Sequence, residues 1–347
     1  MHGTGAPLGR FSSEVPDDAR TAAQDVAGVL SRAQSVLVCG HAGADGDVAG
    51  SSLALACALR ELGKDVVVYN ELPYPAAFSW LPGGDTVVTQ LGPQARFDVT
   101  VVVDAARPDR LGRAFPDTER RGTFVWMDHH AIDQAPGDVN FVDLTAAAVG
   151  EQVALVLDAL GHPISPDVAR GLYASLLADT GGFRYANTSA RAFRLAARLV
   201  EAGVNSWEMT ERIYESQDEA RVRLLGRALD GLWLSACGRL GLVQVREEDL
   251  ASTGANEEHV QGLVNHVRAI RGVEVAVLLR EQATSTKAVF RSRGNVAIAP
   301  IAAALGGRGH KNAGTVVLDV TVAEARRQVV DATLPAMDAT MAPGAAE

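Results

Sequence analysis

The sequence has few cysteines, only three in 347 residues, and no long apolar run. Cys39, Cys57 and Cys237 lie in apolar stretches without CxxC spacing, which fits reduced, buried thiols. Without a run of about 18 apolar residues, no membrane span is expected. The first twenty residues lack the basic and then apolar segments of a signal peptide, so they predict a frayed leader. We therefore expect a cytoplasmic protein.

Positive charge is also in short supply, with 32 Lys and Arg residues against 42 Asp and Glu residues and a formal net charge of -10. This balance argues against a broad basic face for long nucleic acid, because neutralising phosphates dominates that kind of binding. It leaves room for a small phosphorylated substrate held by metal ions and a few arginines. The length suffices for two domains, and 47% hydrophobic residues are typical of a globular protein.

Short apolar runs and helical segments alternate along the first half of the chain. Helices are predicted over 17–32 and 48–62, and strands over 35–39, 66–69, 98–103 and 123–127. This alternation indicates an α/β fold with a parallel, doubly wound sheet. A helical pattern covers 187–232, with an amphipathic part at 190–201 and a charged, solvated part at 216–231.

The second half predicts a smaller α/β domain with a mixed sheet. Its strands are expected over 241–245, 273–280, 287–291 and 315–320, and its helices over 257–270 and 296–305.

One loop after the first predicted strand concentrates metal-ligand chemistry. His41, Asp45 and Asp47 supply one imidazole and two carboxylates at the start of a helix, a set that suits Mn²⁺, Mg²⁺ or Fe. A calcium loop is disfavoured because Ala49 and Ala56 occupy two of its acidic positions. A dinucleotide-binding loop is disfavoured because carboxylates stand where a pyrophosphate would approach. Helix capping by the aspartates remains an equal alternative for this segment taken alone.

Further acids and histidines follow the other buried segments. Asp104 comes directly after one predicted strand, Asp128, His129 and His130 follow another, and Asp179 closes the apolar segment 171–178. A charge at the end of a buried strand is costly unless it is paired or bound to metal. Because parallel strands deliver their carboxyl ends to one edge, the sequence predicts a metal cluster there.

Taken together, these motifs resemble the four-motif set of the DHH phosphoesterase superfamily. Residues 290–294 (FRSRG) and 306–310 (GGRGH) are similar to the DHHA1 domain that accompanies it, and the resemblance spans about residues 20–335. The chain most resembles the branch of oligoribonucleases and pAp phosphatases, which includes enzymes that act on linear or cyclic dinucleotides. The implied division is a leader at 1–17, a DHH domain at 18–210, a helical connector at 211–232, a DHHA1 domain at 233–336 and a tail at 337–347.

The resemblance implies a role for each motif residue. His41 and Asp45 would hold one divalent cation, Asp47, His129 and Asp179 a second, and Asp104 would bridge the two. Mn²⁺ is the expected ion, with Mg²⁺ or another divalent ion as the alternative. His130 would contact the phosphate or protonate the leaving oxygen. Asp128 would orient His129, as metal-bound imidazoles commonly require, or would only cap its strand.

Substrate binding is expected from arginines and a glycine-rich loop. Arg291 and Arg293 should share one face of a strand, and their guanidinium groups can fork onto phosphate. Arg308 departs from the family pattern, which has glycine there, so it is either strained at positive φ or a phosphate contact. The residues assigned to the substrate are Arg184, Arg291, Arg293, Gly306, Gly307, Arg308, Gly309 and His310.

The function that this resemblance implies is metal-dependent hydrolysis of short oligoribonucleotides and small nucleotides, namely pApA, pAp and cyclic di-AMP, in the cleft between the domains. A manganese-dependent inorganic pyrophosphatase of the same superfamily is the alternative enzyme. A nucleotide-binding regulator without catalysis is the alternative from another class. The expected partners are short RNA or nucleotides and not long duplexes or membranes. A homodimer is expected from the resemblance alone.

Overall fold

The computed structural model of the protein describes residues 15–72, 74–132, 134–309 and 311–339. The chain divides between Ser216 and Gln217 into two compact units, which are described separately. No helix among the described residues combines the length and the apolar character that crossing a bilayer requires.

The first unit is built on a five-stranded sheet in which all neighbouring strands are parallel, in the order β2-β1-β3-β4-β5. Its strands are β1 (Ser35–Cys39), β2 (Asp65–Tyr69), β3 (Val99–Val103), β4 (Thr123–Asp128) and β5 (Val139–Val142). Its helices are α1 (Asp17–Arg32), α2 (Gly46–Glu61), α3 (Val149–Ala159), α4 (Pro166–Asp179), α5 (Ala190–Glu201) and α6 (Ser206–Thr210), followed by a π-helical turn at Glu211–Glu215. The predicted parallel α/β fold is confirmed, and β5, α3 and α4 are additions to the predicted elements.

The strand order places the ends of β1, β3 and β4 side by side. Cys39 at the end of β1 pairs with Val102 of β3, and Val103 of β3 pairs with Met127 of β4. The loops that follow these strands therefore leave the sheet at one edge. The order also reverses between β1 and β3, and ligands bind at such a reversal in open parallel sheets.

Helices α2 and α4 approach each other closely because glycine occupies the contact. A Cβ atom on Gly50 would lie against the carbonyl oxygen of Gly171 and 2.5 Å from the amide nitrogen of Ser175. A Cβ atom on Gly171 would in turn lie 2.8 Å from the carbonyl oxygen of Gly50. Only glycine at both positions lets the backbones meet. This contact brings the first turn of α2 beside the second half of α4.

The second unit has a six-stranded sheet in the order β10-β11-β9-β8-β7-β6. Only β7 and β8 are parallel, so the predicted mixed sheet is confirmed. The strands are β6 (Trp233–Leu234), β7 (Leu240–Val245), β8 (Val275–Glu281), β9 (Thr286–Ser292), β10 (Arg308–Gly309) and β11 (Ala313–Leu318). The helices are α7 (Glu219–Asp230), α8 (Glu247–Thr253), α9 (Glu257–Val260), α10 (Val264–Arg268), α11 (Ile298–Ala304) and α12 (Val322–Ala339).

Three details of the second unit differ from the sequence-based predictions. The predicted helix over 257–270 is split into α9 and α10, because Gly262 between them has a φ of +78°. Helix α7 is largely exposed, as predicted, but Leu224 and Ala228 are buried in a core with strand residues of this unit. Cys237, which was predicted to be buried, is exposed in the turn before β7.

Candidate metal centre

The loop after β1 carries the first group of site residues. His41 is buried, and Asp45 is the N-cap of α2, where its Oδ1 atom accepts hydrogen bonds from the amides of Asp47 at 3.0 Å and Val48 at 3.2 Å. The other carboxylate oxygen of Asp45 lies 3.7 Å from His41 Nε2. Capping and a place in the site are therefore compatible for Asp45, because each uses a different oxygen.

Asp104 lies between His41 and His129. It follows β3 with a φ of +51°, a left-handed conformation that costs energy for residues other than glycine and is often found at functional sites. Its Oδ2 atom is 4.0 Å from His41 Nε2, and its Oδ1 atom is 3.6 Å from His129 Nε2. One buried carboxylate thus faces both imidazoles.

In the part of the chain that the structure describes, three groups of side chains offer ligand atoms within 4.8 Å of one another. The first set is His41, Asp45 and Asp104, and the second set is Asp47, His129 and Asp179. The third group, Asp104, His129 and His130, shares members with the other two. The structure thus brings together every residue predicted as a metal ligand.

Asp47 is buried in the first turn of α2 and is held by two hydrogen bonds. Ser175 of α4 donates its hydroxyl to Oδ1 at 2.5 Å, and the amide of Val149 donates to Oδ2 at 2.8 Å. Ser175 was not predicted as a site residue, because its only link to Asp47 is the close contact between α2 and α4.

Both histidines of the two sets present the same ring nitrogen to the carboxylates. His129 Nδ1 lies 3.1 Å from the carbonyl oxygen of Ala146, and His41 Nδ1 lies 3.0 Å from that of Ala42. A carbonyl oxygen can only accept, so Nδ1 carries the proton in each ring. For His129 this directs Nε2 toward Asp179, Asp104 and Asp47, at 3.2, 3.6 and 3.9 Å.

Asp128 contacts a different histidine from the one expected. Its Oδ1 atom accepts from the backbone amide and lies 2.9 Å from Nδ1 of His130, while Oδ2 accepts from the amides of Ala105 and Ala106 at 3.1 and 2.6 Å. The expectation that Asp128 orients His129 is therefore wrong, because the carbonyl of Ala146 has that role. Asp128 instead holds His130 and the turn that follows Asp104.

The acids and the histidines of the cluster have shifted pKa values. Burial and the neighbouring carboxylates raise the pKa of Asp47 well above its ordinary value. Burial, with a contribution from Asp45, raises the pKa of Asp104 to about 6. Burial opposes protonation of His129, but the carboxylates of Asp179, Asp47 and Asp104 together outweigh it and raise its pKa to about 10. Acids that resist ionisation beside bases that hold protons indicate a site that attracts positive charge.

The residues present fit divalent cations. Among the described residues, Asp104 Oδ1 and His129 Nε2 are buried side-chain atoms without a hydrogen-bond partner. An unsatisfied buried polar atom is costly. Carboxylate oxygens with imidazole nitrogens form a donor set typical of Mn²⁺, Mg²⁺ or Fe²⁺. The donors, their burial and their unsatisfied atoms thus all suit metal binding.

The predicted substrate residues are spread over both units. Arg184 is exposed in the first unit, where its Nε donates to the carbonyl of Gly181 at 2.5 Å and its guanidinium lies 5.7 Å from the ring centroid of Tyr214. In the second unit, Arg291 lies on β9, but Arg293 follows the strand and donates to the carbonyls of residues 268 and 270. The two arginines are therefore not both strand residues on one face.

The glycine-rich loop is described up to residue 309, and His310 lies outside the described residues. Gly306 has a φ of +78° and ends α11, with the amides of Gly306 and Gly307 bonded back to the carbonyls of residues 303 and 302. Arg308 lies in β10, where it pairs with Thr315 of β11, and it is exposed. It is not among the residues with positive φ. The strain considered for Arg308 is thus absent.

Comparisons with known proteins agree with this fold. A profile described as the DHH family, N-terminal domain, matches residues 35–176. The bifunctional oligoribonuclease and PAP phosphatase NrnA of Thermus thermophilus is 32% identical over 312 residues, which cover 88% of this chain and 92% of that protein. The protein of the same name from Bacillus subtilis is 26% identical over 285 residues, which cover 81% of this chain and 88% of that protein. The crystal structure of an exopolyphosphatase-related protein from Bacteroides fragilis has a similar fold, with a TM-score of 0.87, 23% identity and coverage of 92% and 98%.

Proposed function

The chain belongs to the DHH phosphoesterase family, and on that premise we propose that it hydrolyses short oligoribonucleotides and the phosphate ester of pAp. The names of its relatives from Thermus thermophilus and Bacillus subtilis support both activities. We include linear dinucleotides such as pApA and cyclic di-AMP among the substrates to be tested. The acidic chain fits such small substrates better than long duplexes.

The observation that carries the proposal is the pair of ligand sets at one sheet edge, with Asp104 facing both imidazoles. His41, Asp45 and Asp104 would hold one divalent cation, and Asp47, His129 and Asp179, with Asp104, would hold a second. Bound there, divalent cations such as Mn²⁺ or Mg²⁺ would activate water and neutralise charge on the phosphoryl group.

His130 is the candidate for contact with the reacting phosphate. Its Nδ1 atom lies 3.1 Å from Asp104 Oδ1 and 2.9 Å from Asp128 Oδ1, and these carboxylates raise its pKa to about 10. Its side chain is 47% exposed, so Nε2 is the nitrogen that can donate to a phosphate or to the leaving oxygen. Asp128 acts through His130 and through the turn after Asp104, and it is therefore a positioning residue.

An activity panel tests the proposal. The purified chain would be assayed with Mn²⁺ on a five-residue RNA, pApA, pAp, cyclic di-AMP and inorganic pyrophosphate. We expect mononucleotide release from the RNA and from pApA, and AMP from pAp. Turnover of pyrophosphate alone would replace the proposal with a pyrophosphatase. Tight nucleotide binding without any turnover would replace it with a regulator.

A matched pair of variants makes the panel specific to the site. Asp104→Asn removes a carboxylate of the site. Asp158→Asn removes a carboxylate of α3 that lies 2.6 Å from Arg198 of α5. Only Asp104→Asn should abolish turnover. The expected homodimer and the expected cytoplasmic location are tested separately, by light scattering of the purified chain and by cell fractionation.

A further inference from the structure

A buried ion cluster lies beside the metal centre and is not explained by it. Arg191 of α5, Glu151 of α3 and Asp143 after β5 are each at most 6% exposed. The Nε of Arg191 donates to Glu151, and its Nη2 lies 2.9 Å from Asp143 Oδ2. Three buried charges are weak evidence for stability, because desolvation offsets most of their attraction. Such a cluster therefore calls for a role in addition to packing.

The two carboxylates hold one short segment of backbone from both ends. Asp143 Oδ1 accepts from the amide and the hydroxyl of Thr145, at 2.9 and 2.6 Å. Glu151 Oε1 accepts from the amide of Ala147 at 3.3 Å. The guanidinium of Arg191 ties these two carboxylates together. Segment 143–149 is thus hydrogen-bonded to both carboxylates that this guanidinium contacts.

The same segment contacts the second ligand set. The carbonyl of Ala146 accepts from His129 Nδ1, and the amide of Val149 donates to Asp47 at 2.8 Å. The side-chain Nδ2 atom of Asn187 donates to the backbone carbonyls of both Ala147 and Asp179, each at 3.0 Å. All three residues of this set are thus bonded to the segment directly or through one side chain. His41 and Asp45 of the first set are instead held by residue 42 and by the start of α2.

We infer that Arg191 is a positioning residue for the Asp47, His129 and Asp179 set, acting through segment 143–149. This inference rests on the metal centre of the proposed function. If the segment shifts, the Ala146 carbonyl no longer fixes the proton on His129 Nδ1, and Nε2 loses its orientation toward the carboxylates. Outer partners of this kind typically change metal affinity about 10–100-fold when they are altered.

The shape of the arginine side chain is needed for this role. Its Nε and Nη2 atoms reach two different carboxylates, whereas a lysine ammonium is a single point of charge. Arg191→Lys therefore keeps the charge and loses the link between Glu151 and Asp143. If Arg191 only packed α5 on α3, Arg191→Lys would leave Mn²⁺ binding unchanged.

A control pair joins the same two helices. Arg198 of α5 binds Asp158 of α3 through two hydrogen bonds of 2.8 and 2.6 Å, about two turns further along both helices. Arg198→Lys perturbs the contact between α5 and α3 without touching segment 143–149.

The test is a Mn²⁺ titration followed by electron paramagnetic resonance of the free ion. For Arg191→Lys we expect one of two dissociation constants to rise about 10–100-fold while the other stays within about twofold. The kcat should fall at limiting Mn²⁺ and recover with excess Mn²⁺, and KM should change less than about twofold. Arg198→Lys should leave both constants unchanged.

The possible outcomes are separable. Identical Mn²⁺ binding by Arg191→Lys and the wild type would overturn the inference, whereas a wild type that binds no Mn²⁺ would overturn the proposed metal centre. If Arg191→Lys does not fold, Glu151→Gln is titrated instead, since it keeps an oxygen for the amide of Ala147. Hydrogen exchange of the wild type needs no variant. Mn²⁺ should slow exchange in 143–149, and unchanged exchange there would also refute the inference.

Discussion

Replacing Asp104 with asparagine should stabilise the metal-free protein and abolish its activity. The carboxylate of Asp104 is buried among other acids, and its pKa is raised to about 6 from an ordinary value of 3.8. Asparagine has nearly the same shape and carries no charge. The variant therefore removes the cost of ionising this position, and it also removes an anionic oxygen that metal binding needs.

The magnitude follows from the pKa difference. A shift of about two units, at 1.36 kcal/mol each, corresponds to about 3 kcal/mol of unfolding free energy in the metal-free protein. The sign is destabilising for the wild type at neutral pH, because the folded state binds the proton more tightly than the unfolded state does. The cost is absent below about pH 4, grows between pH 4 and 6, and is complete above pH 6. The advantage of Asp104→Asn over the wild type should therefore appear above about pH 4 and reach its full size above pH 6.

The assay is urea unfolding in EDTA at pH 4, 5, 6 and 7.5, followed by the same series with Mn²⁺. We expect the gain of Asp104→Asn to rise with pH to at most about 3 kcal/mol, and its stabilisation by Mn²⁺ to be largely lost. Turnover should fall below about one hundredth of the wild type, since a shared ligand acts throughout the reaction. Asp158→Asn, which breaks an ion pair with Arg198, should show no such gain. A variant less stable than the wild type in EDTA at pH 7.5, or one that keeps its turnover, would refute this reasoning.

The remaining predictions concern packing, metal and substrate. Gly50→Ala should lower the free energy of unfolding by about 3 kcal/mol or more and weaken Mn²⁺ binding, because its Cβ would meet the backbone of α4. Gly226→Ala, which has open space around it, should raise the free energy of unfolding by about 0.5–1 kcal/mol. Urea unfolding measures both changes. EDTA should abolish turnover, and Mn²⁺ at 100 times its Kd should restore it. At that concentration Mn²⁺ should raise the free energy of unfolding by about 2.7 kcal/mol, which corresponds to roughly 5–10 °C in Tm. A Tm indifferent to Mn²⁺ would contradict this. Arg291→Ala should raise KM with little change in kcat if the guanidinium binds the substrate phosphate. Steady-state kinetics with pApA measure both constants, and an unchanged KM would contradict this role.

Some partners of the site could not be read from neighbouring positions in the chain. Asp128 was matched with His129, the next residue, but its carboxylate binds His130. Asp128 is the last residue of β4, so the chain has left the strand at both histidines, and adjacency in the sequence does not say which ring its carboxylate meets. The arginines at 291 and 293 were matched by the alternation of side chains along a strand, yet β9 ends at Ser292, and the alternation does not extend past the strand.

The amino-acid sequence by itself determined the parallel sheet and the six residues that meet at its edge. Five of them follow β1, β3 or β4, and parallel strands must deliver their carboxyl ends to one side, whereas Asp179 ends α4 and was expected there from the family resemblance. Only the tertiary structure decided which atoms hold them in place. Ser175 reaches Asp47 because two helices touch at glycines, and Arg191 reaches segment 143–149 from a helix far along the chain. Such contacts depend on how helices pack, and no spacing in the sequence encodes the distance between two side chains that lie on different helices.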